Sequence, residues 1–447
     1  MVFRAIFAKF VLMLQKEGAV TENISSKAMI VKLFVLRPES MDRIVSLCAD
    51  DTIAIIRPEK KLVGLFKDAI TEALVRKGSP QGQLEAVRAY FGSLSDDSAF
   101  LGLVDRTISG IAAYLGEGMF IQASLQSIED YVMIRCARLC AEAVNIKAGA
   151  DIIDGTGLMI CHDTPGKVVV DWNLSREQIR QRCTSGGRTI ITGGYARTPQ
   201  GYIMRIGKGG ASLMASLVAS AVQAEKLECY IEKDGIEGIS SMTYDEAAHY
   251  CSSSLAPFPS ATLWPAKKAG IPIVVLNISD PSFPGTLICS SSSCRGLVSG
   301  VLSEKDLVLI TVYGTGLLGQ VGMSSGIFSA MARSNVNVRF ISQSSSEYSI
   351  SFAVRSPDKD AAEQAIGELV SSGDDVMLSD RKVGIVTVYG DRMKNVPGVS
   401  GMIYSALGKA GINVVAAAQG GEELSISLVV EEAQTDAARK ILQGIGG

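Results

Sequence analysis

The sequence predicts an α/β domain followed by two small ferredoxin-like α+β units. Three observations carry this. Short apolar runs and helical patterns alternate over residues 28–70. The last third of the chain contains an ungapped internal repeat. A serine-rich stretch, ICSSSSCRG at 288–296, separates the two regions.

In the first region, Met29–Leu36 and Thr52–Ile56 are short apolar runs that read as strands. Met41–Leu47 and Leu62–Ile70 have helical spacing. The order strand, helix, strand, helix points to a parallel or mixed sheet. Residues 71–150 read as mostly helical, most clearly from Ile128 to Val144, with Asp130 near the expected N-cap. Between 151 and 210 come short strands punctuated by Gly and Pro: DIIDGT, KVVVDW, RTIITGG and GYIMRIGKGG. A small-residue helix, Ala211–Ala224, and a strand in AGIPIVVLNI follow.

The repeat keeps one offset in every block, with Tyr313 matching Tyr389, Asn337 matching Asn413, Gln343 matching Gln419 and Ser349 matching Ser425. DLVLITVYG matches KVGIVTVYG, GIFSAMARSNVNV matches MIYSALGKAGINV, and ISQSSSEYSISFAV matches AAQGGEELSISLVV. Each copy reads strand, glycine loop, helix, strand, turn, strand, the order of a βαββ unit. A unit this small leaves open sheet edges, so pairing of the copies, and dimerisation through the same edges, are expected.

With 447 residues the chain has room for about three domains. A net charge of -3 argues against nucleic acid as a partner. The apolar start, residues 1–27, is interrupted by Arg4, Lys9 and Lys16, and reads as an N-terminal extension rather than a signal peptide. No apolar run approaches the length of a membrane span. The nine cysteines, Cys136/Cys140 and Cys289/Cys294 among them, are scattered. With His162 and His249 the only histidines, they form no zinc spacing and read as structural thiols of a cytoplasmic protein.

The repeat resembles tandem ACT domains. VYGTGLLGQVGMSSGIFSAMARSNVNVRFISQSSSEYSISFAV is most similar to the regulatory region of bifunctional aspartokinase–homoserine dehydrogenases. Upstream, VKLFVLRP stands where aspartokinases carry KFGGTSV. The stretch ending GKGGAS stands where they carry LGRGGSDYTA, and PAKKAGIPIVVLNISDPSFPGTLI resembles their closing segment. The resemblance covers roughly residues 28–435 and implies a three-layer amino-acid-kinase (carbamate-kinase-like) sandwich. The expected division is an extension at 1–27, a kinase domain at 28–288, a linker at 289–300, and ACT domains at 301–374 and 375–447. No homoserine dehydrogenase domain is expected.

The resemblance implies transfer of the γ-phosphoryl of ATP, with Mg²⁺, to the side-chain carboxylate of aspartate. Such a site needs positioned cations and backbone N–H groups around the phosphates. Lys32 and Lys208 stand at catalytic positions. Gly207, Gly209, Gly210, Glu232 and Asp234 stand at nucleotide positions, and Arg138 and Ser212 at substrate positions. Several departures erode the pattern. Leu33, Phe34 and Val35 replace the glycine loop, and bulky side chains obstruct close backbone approach. Pro58 and Glu59 interrupt the second phosphate loop, leaving Lys60 as its stand-in lysine. Ala137 and Cys140 replace the glutamate and serine of the substrate motif, Ser212 replaces an aspartate, a YTADPR segment is missing, and a lysine is lost near Ser253–Leu255. Two readings follow: a divergent aspartate kinase of lysine, threonine and methionine biosynthesis, or a catalytically inactive scaffold that senses an amino acid.

The ACT copies keep their glycines, Gly314, Gly316, Gly319 and Gly322 in the first, Gly390 and Gly398 in the second. Glycine loops that lead into a helix N-terminus suit an amino-acid carboxylate. The resemblance implies effector contacts at Gly314, Gly319, Gln343 and Gln419, with Asn337 and Asn413 beside them. It names threonine first and lysine second as effector, and a homodimer through the ACT domains. The second copy reads DRMKNVPG in place of TGLLGQVG, so the two sites are expected to bind unequally. Neither a tightly bound metal nor an organic cofactor is expected.

Overall fold

The computed structural model describes residues 29–445 except 117–124, 165–166, 184–186, 208, 233–235, 237–238, 252–257, 281, 292–295, 316–321, 346–347 and 370–376. The chain forms two compact units, Met1–Tyr244 with Ala256–Ser291, and Asp245–Leu255 with Ser292–Gly447.

The first unit begins β1 (Ile30–Leu36), α1 (Met41–Leu47), β2 (Thr52–Pro58) and α2 (Lys60–Leu74). These are the four elements expected from the alternation. Helices α3 (Gln81–Gly92), α4 (Ser98–Gly116) and α5 (Leu125–Ala148) follow. Helix α5 starts before the expected Ile128, so Asp130 lies inside it, buried and 3.4 Å from Arg205, and is not a cap. Next come β3 (Asp151–Ile153), β4 (Ile160–Thr164), β5 (Lys167–Asp171) and α6 (Trp172–Arg182). The Asp171 carboxylate accepts the N–H groups of Asn173 and Leu174 and caps α6. The unit continues through β6 (Arg188–Thr192), β7 (Tyr195–Arg197), β8 (Ile203–Arg205), α7 (Gly210–Ala221), β9 (Lys226–Ile231) and β10 (Ser241–Thr243). From β10 the chain passes into α8 (Tyr244–Cys251), then returns through α9 (Leu263–Ala269), β11 (Ile273–Asn277) and β12 (Thr286–Cys289).

Eight of these strands form one sheet in the order β10-β12-β11-β9-β1-β2-β6-β3. It is parallel except where β11 meets β12. Strand residues alternate between faces. Phe34, Leu36, Ala54, Ile56 and Tyr230 therefore join the core built with α1 to α5. The opposite face carries α7, with α6 and α9 packed on it. The result is three layers, helices on sheet on helices. Every residue of α7 is buried, which explains its small-residue composition. A smaller sheet, β5-β4-β7-β8, completes the unit.

The second unit contains β13 (Gly300–Tyr313), α10 (Met323–Arg333), β14 (Phe340–Gln343), β15 (Ser349–Arg355), α11 (Lys359–Leu369), β16 (Met377–Tyr389), α12 (Val399–Lys409), β17 (Ala416–Gln419), β18 (Ser425–Glu431) and α13 (Thr435–Gln443). Its six strands run β14-β15-β13-β16-β18-β17, antiparallel throughout. The repeat is visible in detail. Thr311 and Ser351 share a hydrogen bond of 2.9 Å, and their counterparts in the second copy, Thr387 and Ser427, share another of 2.9 Å.

The copies pair side by side in one sheet, and they do so by sharing strands. Strand β13 is long enough to serve both. Its Leu307–Tyr313 part is the first strand of copy one, while Gly300–Glu304 pairs with Ile385–Tyr389 and completes copy two. Strand β16 does the reverse: Met377–Arg381 completes copy one and Val383–Tyr389 begins copy two. The pairing shifts register between Glu304 and Leu307, where the sheet bends. Each copy has its own helix-side core. The other face buries Leu307, Leu309 and Phe340 against Val383, Ile385 and Val429. Edge strands β14 and β17 come together there, the Ser342 hydroxyl donating to the Ala417 carbonyl at 3.3 Å.

Candidate functional sites

In a parallel α/β sheet, ligands bind at the carboxyl ends of the strands. In the first unit, β1 does not turn into a loop there. It remains a strand through Leu36 and pairs with β2 along its whole length, Leu36 opposite Pro58. Phe34 and Leu36 are fully buried, and the Phe34 ring stacks on Tyr230 at 4.8 Å. Apolar residues that fit a pleated surface have made a core strand of the segment where a glycine loop would cradle phosphate.

Lys32 lies four residues before that edge, about 13 Å along the strand. Its ammonium is buried and donates to the Leu47 carbonyl at 2.8 Å, at the C-terminus of α1, where a cation is favoured. Glu228 is 3.8 Å away and also holds Lys226 at 2.6 Å and the Tyr230 hydroxyl at 2.9 Å. Burial pulls the Lys32 pKa below the ordinary lysine value, and the Glu228 carboxylate opposes that shift.

At the strand end stands Arg37. Its guanidinium pairs with Glu232, lies 3.5 Å from Glu59 and 3.9 Å from Glu39. The candidate nucleotide residue Glu232 is thus tied to a cation of its own chain. Neighbouring Arg57 is pushed below the ordinary arginine value, first by burial. Lys60, in the first turn of α2, is exposed. A polyphosphate placed here would meet three carboxylates already grouped around one arginine.

The α7 N-terminus is built by glycines. Gly207 and Gly209 have φ of +88° and +85°. A Cβ on Gly209 would strike the Pro259 ring, and one on Gly210 would come within 2.9 Å of the Gly194 carbonyl. Gly193 is wedged between Ile55 and Ala211. These glycines let the 193–194 turn and Pro259 lie against the first turn of the helix. Ser212 is fully buried with its hydroxyl unpartnered, as is Thr262. Arg138 sits on the exposed side of α5, paired with Glu142 at 3.2 Å. Lys208 and Asp234 lie outside the described residues. Among the candidates, therefore, Gly207, Gly209, Gly210 and Ser212 come together, while Lys32 and Arg138 are held elsewhere by partners of their own.

In the second unit, Gly314 donates its N–H to Tyr348 at 3.1 Å, and its repeat partner Gly390 donates to Leu424 at 3.0 Å. Gly322 and Gly398, with φ of +94° and +88°, cap α10 and α12. Gln343 and Gln419 end the edge strands β14 and β17, and both are exposed, as are Asn337 and Asn413. Gly319 lies outside the described residues. The structure thus sets Gln343 and Gln419 on two strands that meet, an arrangement the repeat alone did not reveal.

The sequence reading missed Arg37, Glu246 and His249. Arg37 follows the strand directly, so its position at the sheet edge was readable. Glu246 gave no local signal, because its partners Ser299 and Asp391 are distant along the chain.

Among the described residues no three His, Cys, Asp or Glu side chains cluster as metal ligands, and no helix is long and apolar enough to cross a membrane. The eight described cysteines are buried and unbridged. Burial pushes the Cys48 and Cys183 thiols up to about 11 and Cys251 up to about 12, away from thiolate reactivity.

Comparison with known proteins matches residues 97–277 to the amino acid kinase family, and 310–369 and 386–444 each to the ACT domain. The chain combines an amino-acid-kinase region with two ACT domains and is similar along most of its length to aspartokinases. It is 28% identical over 424 residues to the chloroplastic bifunctional aspartokinase/homoserine dehydrogenase 1 of Arabidopsis thaliana, an alignment covering 85% of this chain and 46% of that one. It is 31% identical over 260 residues to the bifunctional enzyme of Haemophilus influenzae, covering 54% and 32% respectively. The chain thus spans less than half the length of these relatives. The structure of E. coli aspartokinase III in complex with lysine and aspartate superposes with a TM-score of 0.78 at 18% identity, covering 93% of this chain and 99% of that one. That of Clostridium acetobutylicum aspartate kinase gives 0.75 at 19%, covering 94% and 100%. The architecture is the aspartokinase fold, an amino-acid-kinase sandwich followed by two ferredoxin-like ACT domains.

Proposed function

We propose that this aspartokinase-family chain senses an amino acid through its ACT pair and does not transfer a phosphoryl group. One observation supports this above the rest. The segment that would cradle the phosphates is a core strand with Phe34 and Leu36 buried, and the cation at its end is taken up by Glu59 and Glu232. Phosphoryl transfer depends on free positive charge and open backbone N–H groups. At the end of β1 the backbone is a paired strand and the Arg37 charge is engaged by carboxylates.

The effector proposed is threonine, with lysine second, bound by Gly314, Gly319, Gln343 and Gln419 and flanked by Asn337 and Asn413. E. coli aspartokinase III forms a complex with lysine and aspartate, which supports an amino acid as the ligand class. The chain would act as a cytoplasmic homodimer in the control of aspartate-derived amino-acid synthesis.

Titration calorimetry with ATP·Mg²⁺, with and without aspartate, tests the catalytic half. No binding heat is expected, and hydroxamate trapping should show no aspartyl phosphate. Saturable ATP·Mg²⁺ binding with turnover would replace this reading with a working, divergent aspartate kinase. Titration with threonine and with lysine tests the sensing half. Silence with both would remove it.

A further inference from the structure

Helix α8 leaves the strand order of the first unit and packs within the second. Its Glu246 side chain is fully buried. One carboxylate oxygen accepts the backbone N–H of Asp391 at 2.7 Å and the hydroxyl of Ser299. Asp391 begins the loop after the first strand of the second ACT copy, the loop whose glycine was expected to admit an effector's charged end. Gly390 is needed there, because a Cβ would strike the Leu297 carbonyl. That close approach brings Ser299 against the loop, its N–H donating to the Tyr389 carbonyl at 2.9 Å.

The helix reads the second copy with one face. Glu246, His249 and Tyr250 follow at i, i+3 and i+4, so they project together. His249 Nδ1 lies 3.3 Å from the Ser425 hydroxyl and its Nε2 3.4 Å from Glu422. The Tyr250 ring meets Tyr389 edge-on at 6.5 Å. A carboxylate held by a backbone N–H and a hydroxyl, with an aromatic and an imidazole beside it, is the chemistry of recognising a small carboxylic acid.

We propose that Glu246 is a built-in ligand for the second ACT copy. Its carboxylate fills the seat that a free amino acid's carboxylate would take in that loop, so the second copy is closed to effector while α8 is docked. The inference rests on the sensing reading for the nature of the competitor, and on geometry alone for the seat. It also gives the unequal binding expected of the two copies a physical cause. At its other end α8 starts at Tyr244, whose hydroxyl donates to the Ile271 carbonyl at 2.6 Å within the first unit. An amino acid that displaced Glu246 would therefore free a helix directly continuous with β10.

The test is hydrogen exchange at the Asp391 amide in the full chain. Glu246→Ala should speed exchange there by about tenfold or more, since the acceptor that holds the amide is gone. Acetate or threonine at millimolar concentration should restore protection in Glu246→Ala by occupying the vacated seat. Glu246→Gln keeps an acceptor and should stay within about threefold of wild type. Should Glu246→Ala fail to fold, Ser299→Ala removes one donor only and should speed exchange of the same amide. Unchanged exchange in Glu246→Ala, or in Ser299→Ala where Glu246→Ala does not fold, overturns the proposal, as does faster exchange in Glu246→Ala that neither acetate nor threonine reverses. Rescue by acetate together with no threonine or lysine binding to wild type would uphold the seat and remove the sensing reading instead.

Discussion

Gly209 and Gly207 carry nearly the same positive φ but meet different surroundings. A Cβ on Gly209 enters the Pro259 ring, whereas one on Gly207 meets nothing within 4 Å. Gly207→Ala should cost about 1–2 kcal/mol, the left-handed backbone penalty alone. Gly209→Ala should cost more, about 3 kcal/mol with the added clash. Urea midpoints of the two variants check the order; equal losses would mean that the Pro259 contact is soft. Asp171 is a second test at this scale. Its carboxyl is held below the usual range, first by the Leu174 N–H and then by His162. A depressed carboxyl contributes fully above the unfolded value, and the contribution is lost as pH falls through the folded one. Asp171→Ala should thus cost about 1 kcal/mol near neutrality, the usual worth of an N-cap, and progressively less below about pH 4. Melting curves across pH would show whether the gap closes on the acid side. These residues also mark the limit of sequence reading. The glycines of GKGGAS were visible as glycines, but that they fit a turn and a proline against α7 depends on Gly194 and Pro259, which no local pattern connects to them.

Among the elements, β1 is the informative one. VKLFVL reads as an apolar run whichever fold holds it, and the sequence made it a strand. The apolar run already carried the strand to Leu36; what could not be read was which elements cover its Phe34 and Leu36 face. Phe34 and Leu36 find a core built by α1 to α5, elements that a local pattern does not place. Phe34→Ala therefore separates two descriptions of the segment. In a core strand, loss of the stacked ring should cost about 3–5 kcal/mol. In a solvent-facing loop it would cost under about 0.5 kcal/mol. Chemical denaturation decides between them. Helix α8 teaches the complementary lesson. The sequence reading assigned no element to TYDEAAHYC, and its allegiance to the second unit has no local signal, since Glu246 meets Ser299 and Asp391 only after the whole chain is laid down.

For the whole molecule, the repeat was the strongest signal in the sequence, and both copies fold as read. Their junction was not read, although a signal for it was present. The repeat blocks recognised begin at Asp306, yet at the same offset VLSEK at 301–305 matches MLSDR at 377–381, and each of these segments completes the opposite copy. A piece spanning residues 296–369 lacks Met377–Arg381, the closing strand of copy one, and should show no cooperative melt by circular dichroism. A piece spanning 296–447 holds every strand of both copies and should melt in one transition. An independent melt of the shorter piece would mean that the closing strand is dispensable.

This mutual completion also bears on how such a region can be rebuilt. An ungapped duplication looks like two cassettes, each exchangeable for a counterpart with another ligand preference. The strands say otherwise. A cut anywhere between the copies leaves one of them borrowing a strand from foreign sequence, with its register and bend to match. Recombination that respects the fold must carry residues 300–431 as one block, so the preferences of the two halves travel together.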